Sequence, residues 1–311
     1  MATIHEPVLL REVLQYLDPQ PGQNFIDCTF GGGGHSLEIL ERIKSDGKLV
    51  GIDLDPNVIQ TSSNKNLILV NDNYRNLKNI YKDLSDDKRI GEISGILLDL
   101  GLSSDQLGAR SRGFSFQDSG TLDMRYNASS DQMTAADILK KYNQKELFKI
   151  FKEYGEEPLA WPIAKKIVSE RENGNNIETV ESLVEIVEGI YNRHYHSKSK
   201  KQPATRVFQA LRIEVNDEFG NIHKVLPQAI ELLKPGGRLA VISFHSGEDR
   251  IIKNYFRDES KQDKPRIKII NKKPVIASDK EGQENPRSRS AKLRVIEKAF
   301  ISDVGREKHK N

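Results

Sequence analysis

The chain has 311 residues, 36% hydrophobic and 30% charged, enough for one large domain or two ordinary ones with a polar surface. A net charge of +3 does not by itself mark a polyanion-binding protein, and the single cysteine, Cys28, excludes internal disulfides and suits a reducing cytosol. The N-terminus MATIHEPVLL lacks a basic region followed by an apolar core, and no apolar run reaches membrane-spanning length, so a cytoplasmic protein without a membrane partner is expected.

The first hundred or so residues alternate between two periodicities. NFIDCTF reads as a short buried strand, and HSLEILERIKSDG as a helix ending at Gly47. KLVGIDLD is a second strand, followed by a helix beginning near Pro56. NLILVNDNY is a third strand and YRNLKNIYKDL a helix, and ISGILLDLG is a fourth strand from about Ile93 to Gly101. This rhythm predicts βαβ units and a parallel sheet covered on both faces.

The rhythm then stops. The next convincing strand is GRLAVISFH, Gly237 to His245, after the turn signal KPGG. The intervening stretch is mostly helical in period, as in AADILKKY, KELFKIFKEY, IAKKIVSERE and ESLVEIVEGIY. A βα loop is normally a handful of residues, so an inserted helical domain is expected here. NDEFGNIHKVLPQAIELLKPGG returns the chain to the sheet, IIKNYF is helical, and RIKIINKK and AKLRVIEKAF read as two closing strands.

Open parallel sheets bind ligands beyond the carboxyl ends of their strands. Strand one ends in Asp27 and the glycine run Gly31 to Gly34, strand two in Asp53 and Asp55, strand three in Asp72 to Tyr74, and strand four in Asp99. The glycine run admits two ligands. Glycines let backbone N–H groups approach a bound group, and a helix N-terminus favours negative charge, whether a pyrophosphate or the carboxylate of S-adenosylmethionine. The dinucleotide fingerprint G-x-G-x-x-G fails at its last position, which is Ser36, and no P-loop occurs. Asp53 is placed for ribose hydroxyls in either kind of site, while Asp55, before Pro56, reads as a helix cap.

Nine motifs in order now identify a resemblance: DCTFGGGGHS, GIDLDP, ILLDLGLSSDQL, RGFSF, LDMR, YGEE, PATRVFQALRIEVN, PGGRLAVISFHS and NPRSRSAKLRVIEK. Together, over nearly the whole chain, they resemble the MraW/RsmH family, S-adenosylmethionine-dependent methyltransferases acting on N4 of a cytosine in small-subunit (16S) ribosomal RNA. The resemblance implies an α/β fold, a Rossmann-like class I methyltransferase sheet with an inserted helical substrate-recognition domain. It divides the chain into a cofactor-binding core, 1–108 and 211–311, and an insertion, 109–210. It implies cofactor contacts at Gly33, Gly34, His35, Asp53, Tyr74, Asp99 and Gln106, with S-adenosyl-L-methionine as cofactor and the small ribosomal subunit as partner. The chain departs from the family's pattern at Gly247, where leucine is usual, at Pro158 and Pro162 in EEPLAWPIAK, and in RYN after LDM, where RMD is usual. These departures lie on the recognition side or in packing, not in the cofactor motifs.

Methyl transfer from a sulfonium is an in-line displacement, so alignment and electrostatics dominate its catalysis. Amino-methyltransferases commonly place an acid or amide followed by Pro-Pro-aromatic at the end of strand four. Here that end reads DLGLSS, so Asp99 is expected on the cofactor side and the sequence assigns no catalytic residue. A ring to stack on the base would come from Phe114, Phe116 or Phe244. Cys28, at the end of strand one, is badly placed to attack a pyrimidine, which favours amine over C5 methylation. Arg193, Lys198, Lys200, Lys201, Arg206 and Arg212, with Arg287, Arg289, Lys292 and Arg294 near the C-terminus, form basic clusters suited to RNA phosphates. His194 and His196 lack further ligands nearby, so no metal is expected, and Ser246 to Asp249 reads as a capping box. Two rival readings are an NAD(P) oxidoreductase, weakened by the missing third glycine, and a non-catalytic RNA-binding ribosome assembly factor.

Overall fold

The computed structural model of the chain describes residues 7–57, 64–101, 112–195 and 202–300. The predicted helix after Pro56 and residues Gln106, His196, Lys198, Lys200 and Lys201 fall outside the described residues. The chain divides into two compact units, residues 1–103 with 219–311, and residues 104–218. The chain leaves the helical unit at 218 rather than at 210. The reason is local: helix α8 (Thr205–Asn216) runs unbroken past 211, burying Val207, Phe208, Leu211 and Val215 along one stripe.

In the first unit α1 (Leu10–Leu17) precedes β1 (Asn24–Asp27), α2 (Gly34–Ile43), β2 (Leu49–Asp53), β3 (Leu67–Asn71), α3 (Leu77–Asp86) and β4 (Ile93–Asp99). After the helical unit come α9 (Glu218–Leu232), β5 (Leu233–Ser243), α10 (Ser246–Ser260), β6 (Ile267–Ile269), α11 (Asp279–Glu284) and β7 (Lys292–Lys298). Among the described residues the sheet has seven strands in the order β3-β2-β1-β4-β5-β7-β6. The strands from β1 to β5 pair in parallel, and β7 runs antiparallel to both β5 and β6. The fifth strand starts earlier than its sequence signal. Leu233 already pairs with Ile93, and the pairing shifts register between Ile93 and Gly95, so the KPGG turn residues lie within the strand.

Both faces of the sheet are covered, which explains why its strands read as continuous apolar runs. Along β4, Ile96 and Leu98 join one core and Leu97 the other; along β5, Leu239 and Val241 face one way, Ala240 and Ile242 the other. Helices α3, α9 and α10 supply the first core through Ile80, Val225, Leu226 and Ile252, whereas α1 and α2 supply the second through Val13, Leu14, Ile39 and Ile43. The period of two in the strands and of three to four in the helices is therefore satisfied on each side.

The second unit contains α4 (Ala135–Lys141), α5 (Gln144–Glu153), α6 (Ala160–Glu172), α7 (Val180–His194) and α8. Capping boxes start three of these helices: Thr134 with Asp137, Asn143 with Glu146, and Thr179 with Ser182. Pro162 sits in the first turn of α6, where no amide donor is required, and Pro158 precedes that helix. The departure at Tyr126 also has a local partner set. Its backbone N–H donates to Asn216 Oδ1 (2.9 Å), its hydroxyl to Glu218 Oε1 (2.9 Å), and its ring stacks on Phe114 at 5.9 Å. Among the described residues, no helix is long and apolar enough to cross a membrane.

Candidate active site

The site is built at the carboxyl ends of β1, β2, β3 and β4. β1 lies between β2 and β4, so the chain fills one side of it first and the other later, which is the switch point where open α/β sheets hold ligands. Asp27, ending β1, is buried; its Oδ2 accepts from the Ser36 hydroxyl (2.7 Å) and its Oδ1 from the Thr29 N–H (3.1 Å). Those bonds tie the end of the strand to the start of α2. Burial still holds the Asp27 carboxyl above its ordinary value, against the opposing pull of His35.

Asp53, ending β2, organises the glycine loop. Its Oδ2 accepts from the Gly31 N–H (2.9 Å) and its Oδ1 from the Asp55 N–H (2.9 Å). Each oxygen keeps a second acceptor direction, so the residue can brace the loop and still meet a hydroxyl. Burial raises its pKa despite both backbone bonds. Asp55 in turn accepts from the backbone N–H (3.0 Å) and side-chain amide (2.9 Å) of Asn57, an Asx-type turn.

The glycines divide the work. Gly33 is left-handed (φ 76°) at the start of α2, and a Cβ there would come 3.0 Å from the Phe30 ring. Gly34 opens the helix, and a Cβ there would meet Pro7 at 2.8 Å. Both positions are therefore fixed by the protein's own backbone and packing. A Cβ on Gly32 would meet nothing within 4 Å, so this is the glycine that leaves open space.

His35 and Asp99 come together. His35 is buried, with Nε2 3.0 Å from the Val8 carbonyl and Nδ1 3.6 Å from Asp99 Oδ2. A carbonyl only accepts, so Nε2 carries a proton and Nδ1 is the nitrogen facing the carboxylate. The Asp99 backbone N–H donates to the Thr29 hydroxyl (2.7 Å). A quarter of the Asp99 side chain is exposed, yet its Oδ1 is buried without a hydrogen-bond partner. Burial pushes its pKa up to about 6, with Asp27 adding to the shift and His35 and Arg287 opposing it.

Tyr74 opens the 3-10 turn after β3, half-buried, and packs against the core beneath α3. Cys28 is buried in the same core, and burial pushes its thiol well up, so no thiolate is presented. Phe244 leaves β5 beside Gly101, whose added Cβ would lie 3.3 Å from its ring. Phe114 is buried in the helical unit, with the Arg112 guanidinium over its ring at 5.1 Å.

Several expectations are corrected here. Arg212 is no phosphate contact: it forms a two-pronged pair with Glu218, Nε to Oε1 at 2.8 Å and Nη2 to Oε2 at 3.0 Å, both side chains largely buried. Arg294 and Lys292 are both drawn to Asp249, at 2.7 and 3.4 Å, and Arg289 donates to the Gly282 carbonyl. The cap of α10 lies one residue earlier than SGED implies. His245 Nδ1 accepts from the Glu248 N–H, and Glu248 Oε2 accepts from the Phe244 N–H (2.8 Å). Gly247, where leucine is usual, is explained by Phe219. A Cβ on Gly247 would lie 2.6 Å from that ring, which occupies the space a larger side chain would take. Arg287, read only as one of a basic cluster, lies close enough to Asp99 for each to feel the other's charge, and burial lowers its pKa. Nothing in NPRSRS marks Arg287 apart from Arg289; only the fold distinguishes them.

The site thus gathers three carboxylates, Asp27 buried and Asp53 and Asp99 partly buried, around a glycine turn at a helix N-terminus. A sequence model of the MraW methylase family matches residues 2–299. The chain belongs to the MraW methylase family. In keeping with that membership, it is 42% identical over 313 residues to the ribosomal RNA small subunit methyltransferase H of Carboxydothermus hydrogenoformans, covering 94% of this chain and 97% of that protein. The corresponding protein of Heliobacterium mobile is 43% identical, over 94% of this chain and 98% of its own length. Among solved structures, a putative rRNA-methylase from Clostridium thermocellum spans 95% of this chain and 100% of its own, at 12% identity and a TM-score of 0.41. The family assignment rests on the sequence matches alone.

Proposed function

We propose that this MraW-family methylase transfers a methyl group from S-adenosylmethionine to N4 of a cytosine in the RNA of the small ribosomal subunit, in the cytoplasm. The observation that carries the cofactor reading is the charge of the site. Three carboxylates converge at the strand ends, and burial raises the pKa of Asp53 and Asp99, with the charge of Asp27 adding to both shifts. A pyrophosphate would add like charge to that group, whereas a ligand with a sulfonium and an ammonium supplies the missing cation. The buried, unpartnered Oδ1 of Asp99 and the open space over Gly32 fit such a ligand. The oxidoreductase reading is disfavoured on the same ground.

Gly33, Gly34, His35, Asp53, Tyr74, Asp99 and Gln106 are the proposed cofactor contacts. Asp99 draws the cationic end of the ligand, and His35, anchored to Val8, holds that carboxylate in place. Asp53 braces Gly31 and offers its remaining acceptor directions to ribose hydroxyls. When bound, S-adenosylmethionine would supply a methyl group on a positively charged sulfur; the N4 amine attacks that carbon in line, the carbon–sulfur bond breaks to leave a neutral thioether, and the methylated nitrogen gives up one proton. The buried Cys28 is not involved, in line with direct attack by the amine. The helical unit, residues 104–218, is the proposed substrate-recognition part.

The deciding assay incubates the protein and labelled S-adenosylmethionine with small ribosomal subunits lacking the modification, then reads nuclease digests by mass spectrometry. N4-methylcytidine is expected. A methyl on carbon would overturn the amine assignment, and no transfer would leave the assembly-factor reading.

A further inference from the structure

The chain's one tryptophan is an exposed aromatic in the helical unit. Trp161, in the first turn of α6, is 47% exposed, and its ring meets that of Phe148 on α5 edge to face, centroids 5.4 Å apart at 79°. Burying an indole is worth a few kcal/mol to most folds, so leaving half of this one in water is a cost that packing does not explain. Three lysines lie one helical turn from one or the other of these rings. Lys145 and Lys152 lie one turn before and one turn after Phe148 on α5, and Lys165 lies one turn after Trp161 on α6. All three are exposed, and among the described residues none has an ion-pair partner. Their neighbours differ: Lys141 pairs with Asp137, and Lys166 with Glu170. The nearby acid Glu146 is committed to the cap of α5, where it accepts the Asn143 N–H.

A flat, exposed ring flanked by unpaired lysines is the surface chemistry that single-stranded nucleic acid requires. Bases stack on the aromatic face, and ammonium groups meet the phosphates on either side. A protein partner would seek an apolar groove and paired charges, which this face does not offer. We propose that Trp161, supported edge-on by Phe148 and flanked by Lys145, Lys152 and Lys165, is a stacking platform for an unpaired segment of ribosomal RNA. The proposal deepens the functional reading above and rests on it for the identity of the RNA.

Because no second tryptophan exists, intrinsic indole fluorescence of the full chain reports on this position alone. Titration with a 12-nucleotide single-stranded RNA at low salt is expected to quench it, with salt relieving the quench. Trp161→Ala has no indole, so its affinity is read by anisotropy of the same RNA carrying a dye; a loss of about tenfold is expected. Trp161→Phe should keep most of the affinity, which separates lost stacking from a misfolded helix. The double variant K145Q/K152Q should weaken binding and flatten the dependence of log affinity on log salt by about 0.7 per lysine removed. With small ribosomal subunits as substrate, Trp161→Ala should raise KM more than it lowers kcat, while S-adenosylmethionine affinity by calorimetry stays at the wild-type value.

An absent quench together with an unchanged KM overturns the proposal. A KM defect confined to assembled subunits, without any quench by naked RNA, assigns the face to a ribosomal protein and overturns it too. If wild-type protein quenches as expected yet transfers no methyl to subunits, the functional reading fails and the stacking platform stands.

Discussion

Asp99 and His35 form the most informative pair of residues. Nε2 of His35 meets the Val8 carbonyl, which leaves Nδ1 facing Asp99 Oδ2. The Asp99 pKa, pushed up to about 6, gives the sign. Its folded value lies above the unfolded one, so the folded chain binds more protons between them, and this group lowers stability as pH rises from about 4 to 6. A cationic ligand prefers the ionised form, so affinity for S-adenosylmethionine should fall as pH drops below 6, by up to about tenfold per pH unit. Calorimetry from pH 5 to 7.5 measures this. Asp99→Asn should bind weakly with a flat profile, and a wild-type profile that is equally flat would remove Asp99 from the cofactor contacts. The basic residues teach the complementary lesson. Arg212 and Arg294 looked like phosphate contacts in one dimension, but Glu218 and Asp249 consume them. A cation is available to RNA only if no carboxylate reaches it first, and sequence spacing does not reveal that.

At the scale of the element, the start of α2 separates two kinds of glycine. Gly33 needs a left-handed backbone and clearance from Phe30, whereas Gly32 faces open space. Gly33→Ala should therefore cost about 1–2 kcal/mol of stability from its backbone alone, read as a lowered Tm. Gly32→Ala should stay within about 0.5 kcal/mol of wild type while weakening S-adenosylmethionine binding. Equal Tm losses in the two variants would contradict this division. The cap of α10 shows how an element's start depends on neighbours. SGED has the composition of a capping box, but His245 takes the cap because Glu248 reaches back to the Phe244 N–H. The sequence contains both patterns one residue apart, and the structure uses the one at His245.

At the scale of the whole molecule, the chain makes two units, each with its own core. Of the proposed cofactor contacts, Gly33, Gly34, His35, Asp53, Tyr74 and Asp99 belong to the sheet unit. Scanning calorimetry should resolve more than one transition, and S-adenosylmethionine at 100 times its Kd should stabilise the sheet unit by about 2.7 kcal/mol. A single transition moved as a whole would show that the units melt together.

The sequence by itself determined the alternation of strands and helices, the interruption after β4, and the acids at the strand ends. All of these are local: a strand buried on both faces must be apolar throughout, and a ligand-facing turn must be polar and glycine-rich. Asp53 and Asp99 were legible as strand-end acids for that reason, whereas Gly33 and His35 were singled out by the family resemblance. The tertiary structure alone decided what faces what. It brought Asp99 against His35 and within range of Arg287, set Asp53 to brace Gly31, and filled the space beside Gly247 with Phe219. It also left Trp161 exposed, with its ring against Phe148. Burial and charge pairing depend on residues distant in the chain, and the energy of a carboxylate or a lysine is set by those neighbours rather than by its place in a motif.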